Sequence, residues 1–155
     1  MRVAVGSDHR GVECRRSVIA LLHALGAETV EFGGSGAEPV DYPDVAAEVA
    51  CQVARGQCQR GILFCGTGIG VSIAANKIRG IRAAVCHDQH SAEMSRRHND
   101  ANVLCLSADR LPAEEVDRIV KLWLATEFEG GRHSRRVEKI AALESDPQKT
   151  NCGPR

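Results

Sequence analysis

The chain has 155 residues, in which 20 Lys and Arg balance 20 Asp and Glu, and aromatic residues make up only 3%. A neutral balance gives no electrostatic case for nucleic acid or a membrane surface, and scarce aromatics disfavour base stacking. No apolar run reaches the roughly 18 residues of a membrane span, and Met1-Arg2-Val3 leads straight into a strand pattern instead of a signal peptide; the expectation is one soluble, cytoplasmic domain with its own core.

Arg2 to Ser7 reads as a first strand ending in Asp8-His9-Arg10-Gly11. A helix follows from Gly11 to Leu25, with Val18, Leu21, Leu22 and Leu25 at helical spacing and Gly26 closing it. Glu28 to Phe32 is a second strand, followed by the loop Gly33-Gly34-Ser35-Gly36 and by Val40-Asp41-Tyr42-Pro43. Pro43 opens a second helix that runs to Arg55. Gly61 to Cys65 is the third strand and Gly68 to Lys77 the third helix; Arg82 to Cys86 is the fourth strand and Gln89 to His98 the fourth helix. Asn102 to Leu106 and Pro112 to Glu127 complete a fifth pair. Gly130-Gly131 then breaks the chain before a basic helix from Ser134 to Glu144, and the polar tail 145–155 is expected to be flexible.

Five strand-helix alternations with short connections predict an α/β fold. Its form would be a Rossmann-like three-layer α/β/α sandwich with a five-stranded parallel sheet, a single domain over residues 1–144. Ligands in such sheets sit beyond the carboxyl ends of the strands, which singles out Asp8 and His9, Cys65 and Thr67, and His87 and Asp88.

The chemistry concentrates after the third strand. Ile62 to Phe64 has no polar face, as suits a strand covered on both sides. Gly66, Gly68 and Gly70 then let the backbone turn close to a ligand, and the next helix points its free N–H groups at that turn. A thiol at this place, Cys65, is partly exposed in a field that favours thiolate. The other cysteines (Cys14, Cys51, Cys58, Cys86, Cys105 and Cys152) form no C-x-x-C pair, so neither a zinc site nor a disulfide framework is indicated.

Three chemistries compete for the glycine turn. A dinucleotide fingerprint would need a third glycine where Val71 stands, and no Gly-Lys-Ser/Thr follows for a Walker loop. A cysteine phosphatase would need an arginine six residues after the thiol, again at Val71. Moving a carbonyl between neighbouring sugar carbons needs a base, which Cys65 supplies, and oxyanion donors, which the amides of Gly66 to Gly70 supply. His98, at the end of the fourth helix, offers acid or base chemistry near neutral pH. Arg132 and Arg136, four residues apart, share a helix face suited to a phosphate.

The stretches Asp8-His9, Asp41-Tyr42-Pro43, Cys65 to Lys77, Gly80-Ile81-Arg82-Ala83, His98-Asn99-Asp100 and Gly130-Gly131-Arg132-His133 together resemble the ribose-5-phosphate isomerase type B family. The resemblance implies interconversion of ribose 5-phosphate and ribulose 5-phosphate with neither metal nor organic cofactor. It implies Cys65 as base, His98 as the ring-opening residue, and Thr67 with the turn amides of Gly66, Gly68, Ile69 and Gly70 on the enediolate. Asp8, His9, Tyr42 and Asn99 fall among the substrate contacts, and Arg132, His133 and Arg136 fall near the phosphate. It further implies a homodimer or dimer of dimers in which the basic C-terminal segment completes a neighbour's pocket. A second branch of the family carries a glutamate base where this chain has Ile69, which places the chain with the cysteine branch. One position departs from the family: the phosphate-binding arginine after the fifth strand falls on Asp109, with Arg110 beside it, so either the loop is shifted by one and Arg110 serves, or the phosphate grip is altered. The alternatives are an isomerase of allose, galactose or a tetrose phosphate, and a sugar-phosphate sensor without catalysis.

Overall fold

A computed structural model describes residues 1–36 and 38–145. The elements run β1 (Arg2–Ser7), α1 (Val12–Ala24), β2 (Glu28–Phe32), α2 (Tyr42–Ala54), β3 (Arg60–Cys65), α3 (Ile69–Ala75), β4 (Ala83–Val85), α4 (Gln89–Asn99), β5 (Val103–Ser107), α5 (Ala113–Ala125) and α6 (Arg132–Ser145). All strand pairings are parallel, in the order β2-β1-β3-β5-β4. The sheet therefore centres on β3, with β1 and β5 on either side of it.

Alternation along the three central strands builds two cores, because successive side chains point to opposite faces. Val3, Val5, Ile62, Phe64, Leu104 and Leu106 pack against α1, α4 and α5, which contribute Val18, Leu22, Ala92, Val116, Ile119 and Trp123. Ala4, Leu63, Cys65, Val103 and Cys105 face α2 and α3, through Val45, Val49, Val71 and Ala75. This is the expected α/β/α sandwich. Trp123 is fully buried and donates its indole N–H to Ser95 Oγ at 3.1 Å, joining α5 to α4. Beside it the buried Arg96 bonds Asp100 Oδ1 at 2.7 Å and the Ala101 carbonyl at 2.6 Å, so its charge is paired.

The element bounds differ from expectation where side chains take over backbone partners. α3 stops at Ala75 because the Asn76 amide bonds across to β4, donating to the Ala83 carbonyl and accepting from the Ala83 N–H, each at 2.9 Å. β4 begins one residue late, as the Arg82 N–H goes to Asn102 Oδ1 at 2.8 Å. α6 begins at Arg132, two residues earlier than expected, right after Gly130 and Gly131 with φ of 68° and 57°. It continues through Ser145; the rest of the expected tail, 146–155, lies outside the described residues. Among the described residues no helix is long and apolar enough to cross a membrane.

Candidate active site

β3 delivers Cys65 to the carboxyl edge of the sheet, 5% exposed, where its sulfur accepts the Gly68 N–H at 3.1 Å. That bond depends on Gly68 adopting φ of +78°, with the backbone of Leu106 only 3.1 Å from where a Cβ would stand. Thr67 Oγ1 accepts the Ile69 N–H at 3.2 Å, which leaves its own hydroxyl hydrogen to donate outward. With the Ile69 N–H taken by Thr67, the Gly70 amide is the first-turn donor of α3 at the cleft that has no acceptor within the helix. Tyr42, at the start of α2, lays its ring over Gly70, so a Cβ there would lie 2.7 Å from the ring.

Asp8 is 5% exposed, and its Oδ1 accepts the N–H groups of Arg10 at 2.9 Å and Gly11 at 3.3 Å. The carboxylate thus holds the turn into α1 while its residue lines an open cleft of about 560 Å³ with Cys65, Thr67, Gly70, Tyr42 and Asp109. A second hollow of about 410 Å³ adjoins through Thr67 and Ile69 and is lined by His87, Ser107 and Arg110. Arg110 is therefore next to the cleft and not in its wall, and its N–H is fixed by Ser107 Oγ at 3.1 Å. His9 is exposed, and its Nδ1 accepts the Val40 N–H at 3.4 Å. Asp88 serves as the N-cap of α4, accepting the Ser91 N–H at 2.7 Å.

The remaining expected site residues lie elsewhere. α4 runs antiparallel to the strands it connects, so it carries His98, near its end, to the amino edge of the sheet, about 14 Å along the helix axis from Gln89. There the His98 ring stacks on His133 of α6 with centroids 4.2 Å apart and planes 5° from parallel. Glu129 accepts an ion pair from Arg97 at 3.2 Å and stands 3.9 Å from His98 Nε2. Arg132 donates to His133 Nε2 at 3.3 Å. Asn99, Arg132 and Arg136 are exposed around this cluster's elements. One chain thus holds two separate clusters, with Cys65, Thr67, Asp8 and Tyr42 in one and His98, His133 and Arg132 in the other.

His98, Glu129 and His133 hold donor atoms within 4.8 Å of one another, the arrangement among the described residues most able to ligate a cation. Arg97 already engages the carboxylate and Arg132 the His133 nitrogen, and both add positive charge. That environment suits an anion better.

Burial, with His98 and Arg132 nearby, pushes the His133 imidazole below its ordinary value. The unfolded chain then takes up a proton here at higher pH than the folded chain. The resulting stability is present above the ordinary histidine value of about 6.5 and is lost as pH falls through it. We expect the urea midpoint to drop more between about pH 7.5 and about pH 5.5 in the unmodified chain than in His133→Gln. Equal drops would remove His133 from this dependence.

Sequence reasoning passed over Arg10, which pairs with Asp109 through Nη2–Oδ2 at 2.8 Å and Nε–Oδ1 at 3.2 Å. It also passed over Ser107, whose hydroxyl donates to the Gly66 carbonyl at 2.6 Å and so fixes the turn, and over Glu129. The other thiols behave as small hydrophobes: burial pushes those of Cys14, Cys58, Cys86 and Cys105 up.

Known proteins share this fold. The family model described as Ribose/Galactose Isomerase matches residues 3–140. Ribose-5-phosphate isomerase B of Escherichia coli (strain K12) is 46% identical over 92% of this chain and 96% of its own length. The structure of ribose-5-phosphate isomerase B from Clostridium thermocellum superposes with a TM-score of 0.92 at 49% identity, covering 94% of this chain and 98% of the other. That from Mycoplasma genitalium, with bound ribulose 5-phosphate, gives 0.89 at 38% identity, covering 94% and 97%.

Proposed function

The chain belongs to the ribose/galactose isomerase family, and on that premise we propose that it interconverts ribose 5-phosphate and ribulose 5-phosphate through an enediolate, with Cys65 as the base. The observation that carries this reading is the Cys65 sulfur at the end of β3, lining the open cleft with an amide N–H already donated to it. In the open-chain aldose, the Cys65 thiolate takes the proton from C2. The freed pair forms the C1–C2 double bond, and the C1 carbonyl becomes an oxyanion. The O2 hydrogen passes to O1, and the thiol returns its proton to C1, leaving a ketone at C2. The Thr67 hydroxyl and the Gly70 amide at the start of α3 hold the charged oxygens, and the Ile69 N–H, by donating to Thr67 Oγ1, makes that hydroxyl the stronger donor. Gly66 keeps the turn open to them, and Asp8, His9 and Tyr42 contact the sugar.

The ring must first open, and His98 is the group suited to move that proton. In one chain it stands at the wrong end of the sheet, so the reading takes His98, Asn99, Arg132, His133 and Arg136 from a second copy of the chain. The exposed Ile69, Ile73 and Tyr42 around the cleft, and Ile140 and Leu143 on α6, support such a homodimer, since apolar surface of this kind is commonly covered. A dimer of dimers would leave this site as it is.

The test is isomerisation of ribose 5-phosphate beside allose 6-, galactose 6- and erythrose 4-phosphates. We expect the highest kcat/KM on the pentose. Highest turnover on another phosphosugar would keep the mechanism and move the substrate, and binding without turnover on any would make the chain a sensor.

A further inference from the structure

We propose that Arg10 is the cation that holds the substrate's phosphate from the Cys65 side of the cleft, and that Asp109 is its positioning residue; this rests on the phosphosugar reading above. Arg10 leaves the loop after β1 and Asp109 the loop after β5, the two strands flanking β3. Their ion pair therefore crosses the end of β3 next to Cys65, and a Cβ on Gly66 would lie 2.9 Å from Asp109 Oδ2 and 3.1 Å from Arg10 Nε. Among the described residues lining the cleft, Arg10 is the one cation, facing a wall that otherwise carries only Asp8 and Asp109 as charges. The nearest further cation on this side, Arg110, lies in the adjoining hollow and not in the cleft wall.

The pair is built to aim the guanidinium. Nε and Nη2 engage the two Asp109 oxygens side-on, which leaves the opposite edge of the fork for two phosphate oxygens. Both ends are tethered: the Arg10 N–H is held by Asp8 Oδ1 at 2.9 Å, and the Asp109 N–H by the Gly66 carbonyl at 3.2 Å. As a staple between loops it contributes little, because both side chains are substantially exposed, at 56% and 37%, and solvent screens such a pair. Its position beside the base is what distinguishes it from the other surface ion pairs of α1 and α5, Arg16–Glu13 and Arg118–Glu114.

The experiment compares the unmodified chain with Arg10→Met, Arg10→Lys and Asp109→Asn, reading KM and kcat for ribose 5-phosphate and inhibition by inorganic phosphate. Arg10→Met is expected to raise KM about tenfold or more and weaken phosphate inhibition by a similar factor, with the loss falling mainly on KM. Arg10→Lys should recover part of both, and Asp109→Asn should raise KM by a smaller factor with its unfolding midpoint unchanged. If Arg10→Met folds and leaves both KM and phosphate inhibition as they were, Arg10 does not hold the phosphate, whatever the enzyme's preferred sugar. If the unmodified chain turns over no phosphosugar, calorimetric binding of inorganic phosphate decides instead: binding lost in Arg10→Met upholds the proposal, and binding retained overturns it.

Discussion

Replacing Cys65 by alanine is expected to lower kcat for ribose 5-phosphate by about 10²- to 10⁴-fold or more while changing substrate affinity little. On the proposed reading the thiol is the base, since among the described residues of the cleft wall the two carboxylates have other work. Asp8 holds the turn into α1 through Oδ1, which accepts the N–H groups of Arg10 and Gly11, and both oxygens of Asp109 engage Arg10. The substitution removes one sulfur atom at the edge of the core, so the fold should survive, and the unfolding midpoint serves as the control. Its backbone bonds stay, since the Cys65 carbonyl still accepts the Ala108 N–H at 2.9 Å. Iodoacetamide adds a second reading of the same atom. Alkylation at Cys65 should abolish turnover, and substrate should slow it. The buried Cys105 and Cys86, held protonated by burial, should react far more slowly. An alanine variant that still turns over the sugar at near-normal kcat would remove Cys65 from the role of base.

Much of this layout can be read from the chain because the central strands are so one-sided. Val3 and Val5 against Ala4, Ile62 and Phe64 against Leu63, and Leu104 and Leu106 against Cys105 each state the sheet's two faces by simple alternation. The glycine turn is equally plain, because only a residue without a Cβ can take φ of +78° so close to the Leu106 backbone. What local pattern does not carry is partnership across the fold. Arg10 looks like any loop arginine until it meets Asp109, 99 residues later. Arg15 sits within a helix whose apolar spacing is otherwise ordinary. Yet its buried guanidinium donates to the carbonyls of Phe32 and Gly34, both at 2.7 Å, and pins the loop after β2. His98 could have been placed by counting elements, since a helix returning from a parallel strand must end at the amino edge. Gathering the strand-end residues alone leaves it out of reach of Cys65.

That separation gives the second large effect. Cys65→Ala and His98→Ala are each expected to be nearly inactive on ribose 5-phosphate, yet mixing them after dissociation and reassembly should restore activity. The reason is geometric. α4 places His98 about 14 Å down the helix axis from its start at the edge where Cys65 lies, and the stacking on His133 and the nearby Glu129 hold it there. If a site takes Cys65 from one copy and His98 from the other, a mixed dimer carries both lesions in one site and neither in the second. Random reassortment makes half the dimers mixed, each with one intact site of two, so recovery should approach about a quarter of the unmodified activity. A site built within one chain predicts a different result, because every site in every dimer would then carry one lesion and the mixture would stay as inactive as its parts. Recovery that scales with the fraction of mixed dimers, resolved by tagging one variant, would assign His98 to the neighbouring copy's cleft. It would also explain why the basic start of α6 is ordered against α4: Arg132 and His133 are then held beside His98 as part of the same half-site.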